Sequence, residues 1–154
     1  MYYFADKCKI DFDVFLPTRN RNLQRDFVWT IDQKRELIWS ILLKRYIPPM
    51  AMINIADGGN RGTNGVYQVI DGKQRLSAMI DFYKGAYTLE VEGGEYYFNQ
   101  LPLEYQRVVS MYMFPYYIVH EDYSDTISDE DKINWFKLIN FAGTPQDAKH
   151  LKGL

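Results

Sequence analysis

Between residues 10 and 15 the chain reads IDFDVF, apolar and acidic side chains in alternation, the period of a half-buried β-strand. The stretch that follows, PTRNRNLQRDF, is polar and basic and holds Arg19, Arg21 and Arg25. From Thr30 the period changes. Leu37, Ile38, Ile41 and Leu42 line one face of a helix whose start is marked by Thr30 and Gln33 as a capping box. That helix must end before the IPP at 47–49, because a residue preceding proline is pushed out of the helical region. MAMINIA, 50–56, reads as a strand, DGGNRGTNG, 57–65, as an exposed loop, and VYQVI, 66–70, as the next strand.

After Asp71-Gly72 the pattern turns helical again, with Leu76, Met79, Ile80 and Tyr83 on one face and Gly85 placed to cap the end. YTLEVEGGEYYF, 87–98, is a hairpin candidate with Gly93-Gly94 at its turn. LPLEYQRVVSMY, 101–112, reads as a short helix and FPYYIVH, 114–120, as an aromatic strand with Pro115 near its start. Ser128, with Asp131 three residues on, opens a last helix through about Asn140. No internal repeat, low-complexity tract or linker interrupts the series, so 1–154 reads as one domain. A hairpin, isolated strands and interposed helices together predict an α+β fold, a small mixed β-sheet with packed helices.

Composition narrows the setting. The formal charge of −2 lacks the basic excess of a general nucleic-acid coat, so any hold on phosphate must be local. Tyrosine and phenylalanine supply 13 and 9 residues, which favours an ordered globule over disorder. Cys8 is the only cysteine, which excludes an intrachain disulfide and a multi-cysteine zinc site and fits a reducing, cytoplasmic location. Neither a signal peptide nor a membrane span is visible.

The chemistry concentrates at the strand-to-helix junction, VIDGKQRL, 69–76. A helix starting near Gly72 or Lys73 leaves backbone N–H groups without intrahelical partners, and these with the helix dipole can hold an anion. Gly72 allows a ligand close to the backbone. Lys73 adds a positive charge, and Arg75 a planar fork suited to two phosphate oxygens. Asp71 beside a phosphate calls for a divalent cation between them, or for a role in orienting the arginine or a water. Gln74 can position a water without adding charge. The spacing suits a magnesium-bound nucleotide. It also suits an ordinary corner, since Asp-Gly is a common turn, Asp a good cap, and Lys, Gln and Arg common in a surface first turn.

Four ordered blocks bear on that choice: RDFVW at 25–29, LIWSILLKRYIPPM, VIDGKQRLSAMIDFY and LINFAGTPQDAKHL. Together, over roughly residues 16 to 154, they resemble the N-terminal domain of GmrSD-type restriction proteins, a family marked by a DGQQR-like motif and similar to the ParB/sulfiredoxin superfamily. Here the motif is Asp71-Gly72-Lys73-Gln74-Arg75, with lysine third. Gly72, Arg75 and Ala78 also fall on the G-x-x-R-x-x-A pattern with which ParB-like domains hold nucleotide phosphates. The resemblance implies a ParB/sulfiredoxin-like fold and a nucleoside triphosphate with Mg2+ as ligands. It further implies hydrolysis controlling a DNA-cutting activity in restriction or phage defence, in a host or phage-encoded setting. By it Asp71, Gln74 and Arg75 would be catalytic, with Asp71 on the metal. Gly72, Lys73, Arg75, Ala78, Arg25 and Asn140 would bind the nucleotide, and Gly143 would help shape a neighbouring wall.

Full-length relatives carry their cutting chemistry in a C-terminal domain with an HNH-like histidine cluster, whereas this sequence holds only His120 and His150 and no Cys/His metal spacing. The expectation is therefore a regulator or partner-dependent subunit, with DNA or a nuclease protein as partner. Two alternatives stay open: a DNA-binding or DNA-nicking module using Arg19, Arg21 and Arg25 with Lys34 and Arg35, and a non-catalytic inhibitor that keeps the fold. Phe27 and Trp29 read as core anchors rather than base-stacking platforms. The loop 57–65 reads as an ordinary hairpin loop with a mobile lid as the alternative, and the acidic run 121–132 as a solvated connector and helix start.

Overall fold

A computed structural model describes residues 9–55, 65–121 and 126–143, the last three of these by backbone alone. Cys8, His150 and nearly all of the loop 57–65 lie outside the described residues. A four-stranded mixed sheet is built from β1 (Lys9–Asp11), β4 (Met50–Ile55), β5 (Val66–Asp71) and β8 (Tyr116–Glu121), in the order β1-β5-β4-β8. β1 runs parallel to β5, β5 antiparallel to β4, and β4 parallel to β8. Two short ribbons accompany it, β2 (Phe15–Leu16) with β3 (Arg21–Asn22) and β6 (Leu89–Val91) with β7 (Gly94–Tyr96). The helices are α1 (Ile31–Leu42), α2 (Lys73–Tyr83), α3 (Leu103–Met111) and α4 (Asp129–Gly143). The fold is α+β, as the alternation of periods predicts.

The two-residue period of the central strands distributes the core between the faces of the sheet. Met50, Met52 and Val69 point to one side, where α1, α2 and α3 contribute Leu37, Ile38, Ile41, Leu76, Met79, Phe82 and Val109. Ala51, Ile53 and Ile70 point to the other, against Val14, Leu16, Leu23 and Ile133 of α4. β4 and β5 are thus covered on both faces, which is why their sequences are nearly continuous apolar runs.

The predicted strand 10–15 divides in two. Asp11 Oδ1 accepts from the N–H groups of Asp13 and Val14, at 3.0 Å each, forming a side-chain-closed turn that competes with the strand ladder. Val14 is consequently held at φ 52° while fully buried. In the hairpin the two-residue loop is Glu92-Gly93, both at positive φ. Gly94 is already paired with Val91, one residue along from the expected turn, because a primed two-residue turn matches the twist of its strands.

Helix ends follow local chemistry. Thr30 and Gln33 form the expected reciprocal box on α1. Ser128 Oγ accepts from Asp131 N at the start of α4. There Asp129 accepts from the N–H and hydroxyl of Thr18, joining segments 111 residues apart. α1 and α2 both finish in the same bonding pattern, in which the residue after the cap turns left-handed. In α2 that residue is Gly85, as expected, but in α1 it is Lys44 at φ 54°. Lys44→Gly therefore raises stability, since relieving about 1–2 kcal/mol of left-handed cost exceeds the added unfolded-chain entropy of glycine. A gain of about 0.5 kcal/mol in urea unfolding is expected.

Candidate functional site

β5 ends at Asp71 and α2 begins at Lys73, with Gly72 between them at φ 100°, ψ 9°. No other residue fits this corner. A Cβ on Gly72 would sit 2.5 Å from Met50 Cγ, and the left-handed φ penalises any L side chain. Asp71 is the last strand residue rather than the helix cap, and no side chain caps the first turn of α2. Its leading N–H groups are thereby left without the side-chain acceptor that most helix starts recruit.

The corner directs four side chains to three destinations. Asp71 Oδ2 takes a 2.7 Å charge-assisted bond from Arg75 Nη2, one turn along. The same nitrogen reaches the Pro49 carbonyl at 3.3 Å, while Arg75 Nε is buried without a partner. Burial lifts the Tyr112 phenol above its ordinary pKa, and the Arg75 guanidinium opposes that shift. Lys73 turns inward. Its side chain is only 3% exposed, its ammonium is 2.9 Å from Asp13 Oδ1 and it lies 4.5 Å from the centre of the Phe27 ring.

Gln74 is fully engaged as a clamp. Its Oε1 accepts from Val28 N and Trp29 N at 3.1 and 3.2 Å, and its Nε2 donates to the Asp26 carbonyl at 3.0 Å. These bonds pin segment 26–29 to the first turn of α2 and bring Arg25, one residue earlier, beside the junction. Arg25 is exposed and has no ion-pair partner among the described residues. Gln24 secures the other side, donating to the carbonyls of Val69 and Ile70 at 2.8 and 2.6 Å.

The structure thus gathers Asp71, Gly72, Lys73, Gln74 and Arg75 with the segment that follows Arg25. Ala78 does not join them at the surface: it is fully buried beneath α2, where its carbonyl accepts from the Tyr87 hydroxyl at 2.9 Å. Asn140 lies in α4 on the opposite face of the sheet from α2, its amide donating to the Phe136 carbonyl of its own helix. Gly143 is the last residue of that helix. Among the described residues no group of three or more His, Cys, Asp or Glu side chains could hold a metal unaided.

Three contributors escape sequence reading. Asp13, the partner of Lys73, sits in a run that looks like the outward face of a strand. Gln24 and the Pro49 carbonyl are 46 and 26 residues from the groups they meet. Phe27 departs from expectation, being 51% exposed, whereas Trp29 does pack on the core. The basic stretch is largely consumed by intramolecular pairing. Arg19 binds Glu130, Lys34 binds Asp81, and Arg35 binds Glu95 and the Thr88 carbonyl and hydroxyl.

Three substitutions test the corner. Gly72→Ala should cost at least about 2 kcal/mol in urea unfolding, since it combines a left-handed strain with a clash against a packed side chain. Asp13→Ala strands a buried ammonium and should cost about 1–3 kcal/mol, whereas Lys73→Met removes the charge while keeping the volume and should cost less. Equal losses for the last two variants would count against Lys73 as a charge that depends on Asp13.

Residues 9–152 match the family model described as GmrSD restriction endonuclease, N-terminal domain. No curated protein and no solved structure matches the chain. No helix among the described residues is long and apolar enough to cross a membrane. With nearly its whole length matched and its Asp-Gly-Lys-Gln-Arg run at the strand-to-helix corner, the chain belongs to the GmrSD N-terminal domain family and so to the proteins related to restriction and phage defence.

Proposed function

We propose that the β5–α2 corner binds the phosphates of a nucleoside triphosphate and that the domain uses this ligand to regulate a DNA-cutting activity. The observation that carries the reading is the uncapped start of α2, beside a guanidinium whose Nε is buried without a partner. An anion would complete both, accepting from the first-turn N–H groups and lying where the helix dipole favours negative charge. Arg75 is preorganised for it: Asp71 and the Pro49 carbonyl fix one edge of the fork, so little side-chain freedom remains to be lost on binding. Arg25 supplies a second positive charge from the pinned segment. Lys73 contributes its field from beneath, screened by Asp13.

Mg2+ fits this site only in the manner usual for nucleotides, through one carboxylate and the phosphates themselves. Asp71 would be that carboxylate, since its Oδ2 is held by Arg75 and its Oδ1 accepts no hydrogen bond among the described residues. The ion would supply charge neutralisation between Asp71 and the ligand. For hydrolysis, Asp71 is the group placed to hold a water. Gln74 acts first as the clamp that positions segment 26–29, because both polar atoms of its amide are engaged there. Partners for the regulated activity are DNA or a nuclease protein.

Thermal unfolding with each of the four ribonucleoside triphosphates and Mg2+ tests the reading. A ligand at a hundred times its Kd adds about 2.7 kcal/mol to stability, a readily measured rise in Tm. Arg75→Ala should abolish the rise, and Arg75→Lys should only weaken it, because it keeps the charge but loses the fork. Phosphate release, lost in Asp71→Asn while binding persists, would establish turnover. If no nucleotide raises the Tm of the unaltered protein, the phosphate site is not there.

A further inference from the structure

We infer that Phe27 is the stacking platform for the base of the nucleotide, which rests on the phosphate-site reading above and gives that site its preference for a nucleoside over a bare polyphosphate. An exposed phenylalanine alone needs no explanation. Phe27 differs because its neighbours hold it still while leaving half of it open.

Three contacts hold it. The Lys73 ammonium lies 4.5 Å from the ring centre, and that lysine is 3% exposed, so the cation is covered and its attraction to the ring is little weakened by water. Phe12 meets the ring edge-on with centroids 5.6 Å apart. The backbone on either side is fixed by Gln74, through the Asp26 carbonyl and the Val28 N–H. With all this in place Phe27 remains 51% exposed and the adjacent Val28 55% exposed. A ring held by such contacts in the unliganded protein has less side-chain freedom to lose when a second ring stacks on it, which is the condition under which a flat contact yields affinity.

Location selects the occupant. The residues that hold Phe27, Lys73 and Gln74, are the third and fourth of the junction run, so the ring is held by side chains of the first turn of α2. A ligand with phosphates at that turn and a flat group next to them fits the pair of features, and a nucleoside triphosphate is such a ligand. Every nucleobase has a π-face, and stacking on an aromatic side chain contributes appreciably without selecting strongly among bases. Hydrogen-bond readout of base identity is not required for the platform to act.

The proposal separates cleanly from the reading it rests on, because inorganic tripolyphosphate carries the phosphates without the base. Calorimetric titrations with Mg2+ compare tripolyphosphate with the ribonucleoside triphosphate that raises the Tm most, on the unaltered protein and on Phe27→Ala and Phe27→Trp. Phe27→Ala should weaken the nucleotide about ten-fold or more and leave tripolyphosphate within about two-fold, with Phe27→Trp restoring the nucleotide. The indole of Phe27→Trp should also be quenched by the nucleotide and not by tripolyphosphate. Equal affinity of the unaltered protein for both ligands would overturn the platform while leaving the phosphate site intact. So would equal weakening of both by Phe27→Ala, which would mark the ring as structural. Binding of neither ligand would overturn the phosphate site, and the platform with it.

Discussion

Position 72 has room for a backbone and nothing more. Met50 occupies the space a side chain would need, and φ lies at +100°. Because β4 carries Met50 and β5 carries the corner, the packing of one strand against its neighbour sets how sharply the chain can turn into α2. The turn in turn sets where the next three side chains go: Lys73 under the sheet's edge, Gln74 across to segment 26–29, Arg75 back to Asp71. A glycine constraint at one residue is in this way the origin of the whole arrangement at the junction.

That arrangement is nearly neutral. Arg75 is matched by Asp71, and Lys73 by Asp13. Burying an unmatched cation costs several kcal/mol, so a site built partly below the surface must carry its own counter-charges. At the proposed phosphate site an anion would find the backbone of the first helical turn and Arg25, with the buried, unpartnered Nε of Arg75 beneath them. Affinity for phosphate would then come mainly from oriented dipoles and one preorganised fork, with little reliance on bulk positive charge. This is consistent with a chain whose formal charge is −2. The same economy runs through the basic stretch, where Arg19, Lys34 and Arg35 staple helices and ribbons to one another.

Much of this was legible in the order of residues. The capping box at Thr30 and Gln33, the left-handed end of α2 at Gly85, the apolar runs of β4 and β5 and the breaking of the strand at Asp71-Gly72 are local effects. They depend on neighbours within a turn of helix or a pair of strands, and local chemistry is enough to determine them. The strand expected at 10–15 divides in two for a reason equally local but easily overlooked. An aspartate side chain can bond the backbone two and three residues ahead, and at Asp11 it does so in preference to continuing the ladder.

The sequence alone determined that an acid, a glycine, a lysine, a glutamine and an arginine would meet at one strand-to-helix corner, and that the corner opens a helix able to attract an anion. Only the tertiary structure decided what each of them does there. Asp13 lies 60 residues from Lys73, segment 26–29 lies more than 40 from Gln74, and Pro49 lies 26 from Arg75. No periodicity encodes such pairings, because they arise when the sheet brings β1, β4 and β5 side by side. Residues that read in sequence as five candidate ligands for one molecule therefore divide into a hinge, a buried counter-ion, a clamp and an ion pair, and the exposed ring of Phe27 is fixed beside them by the same contacts.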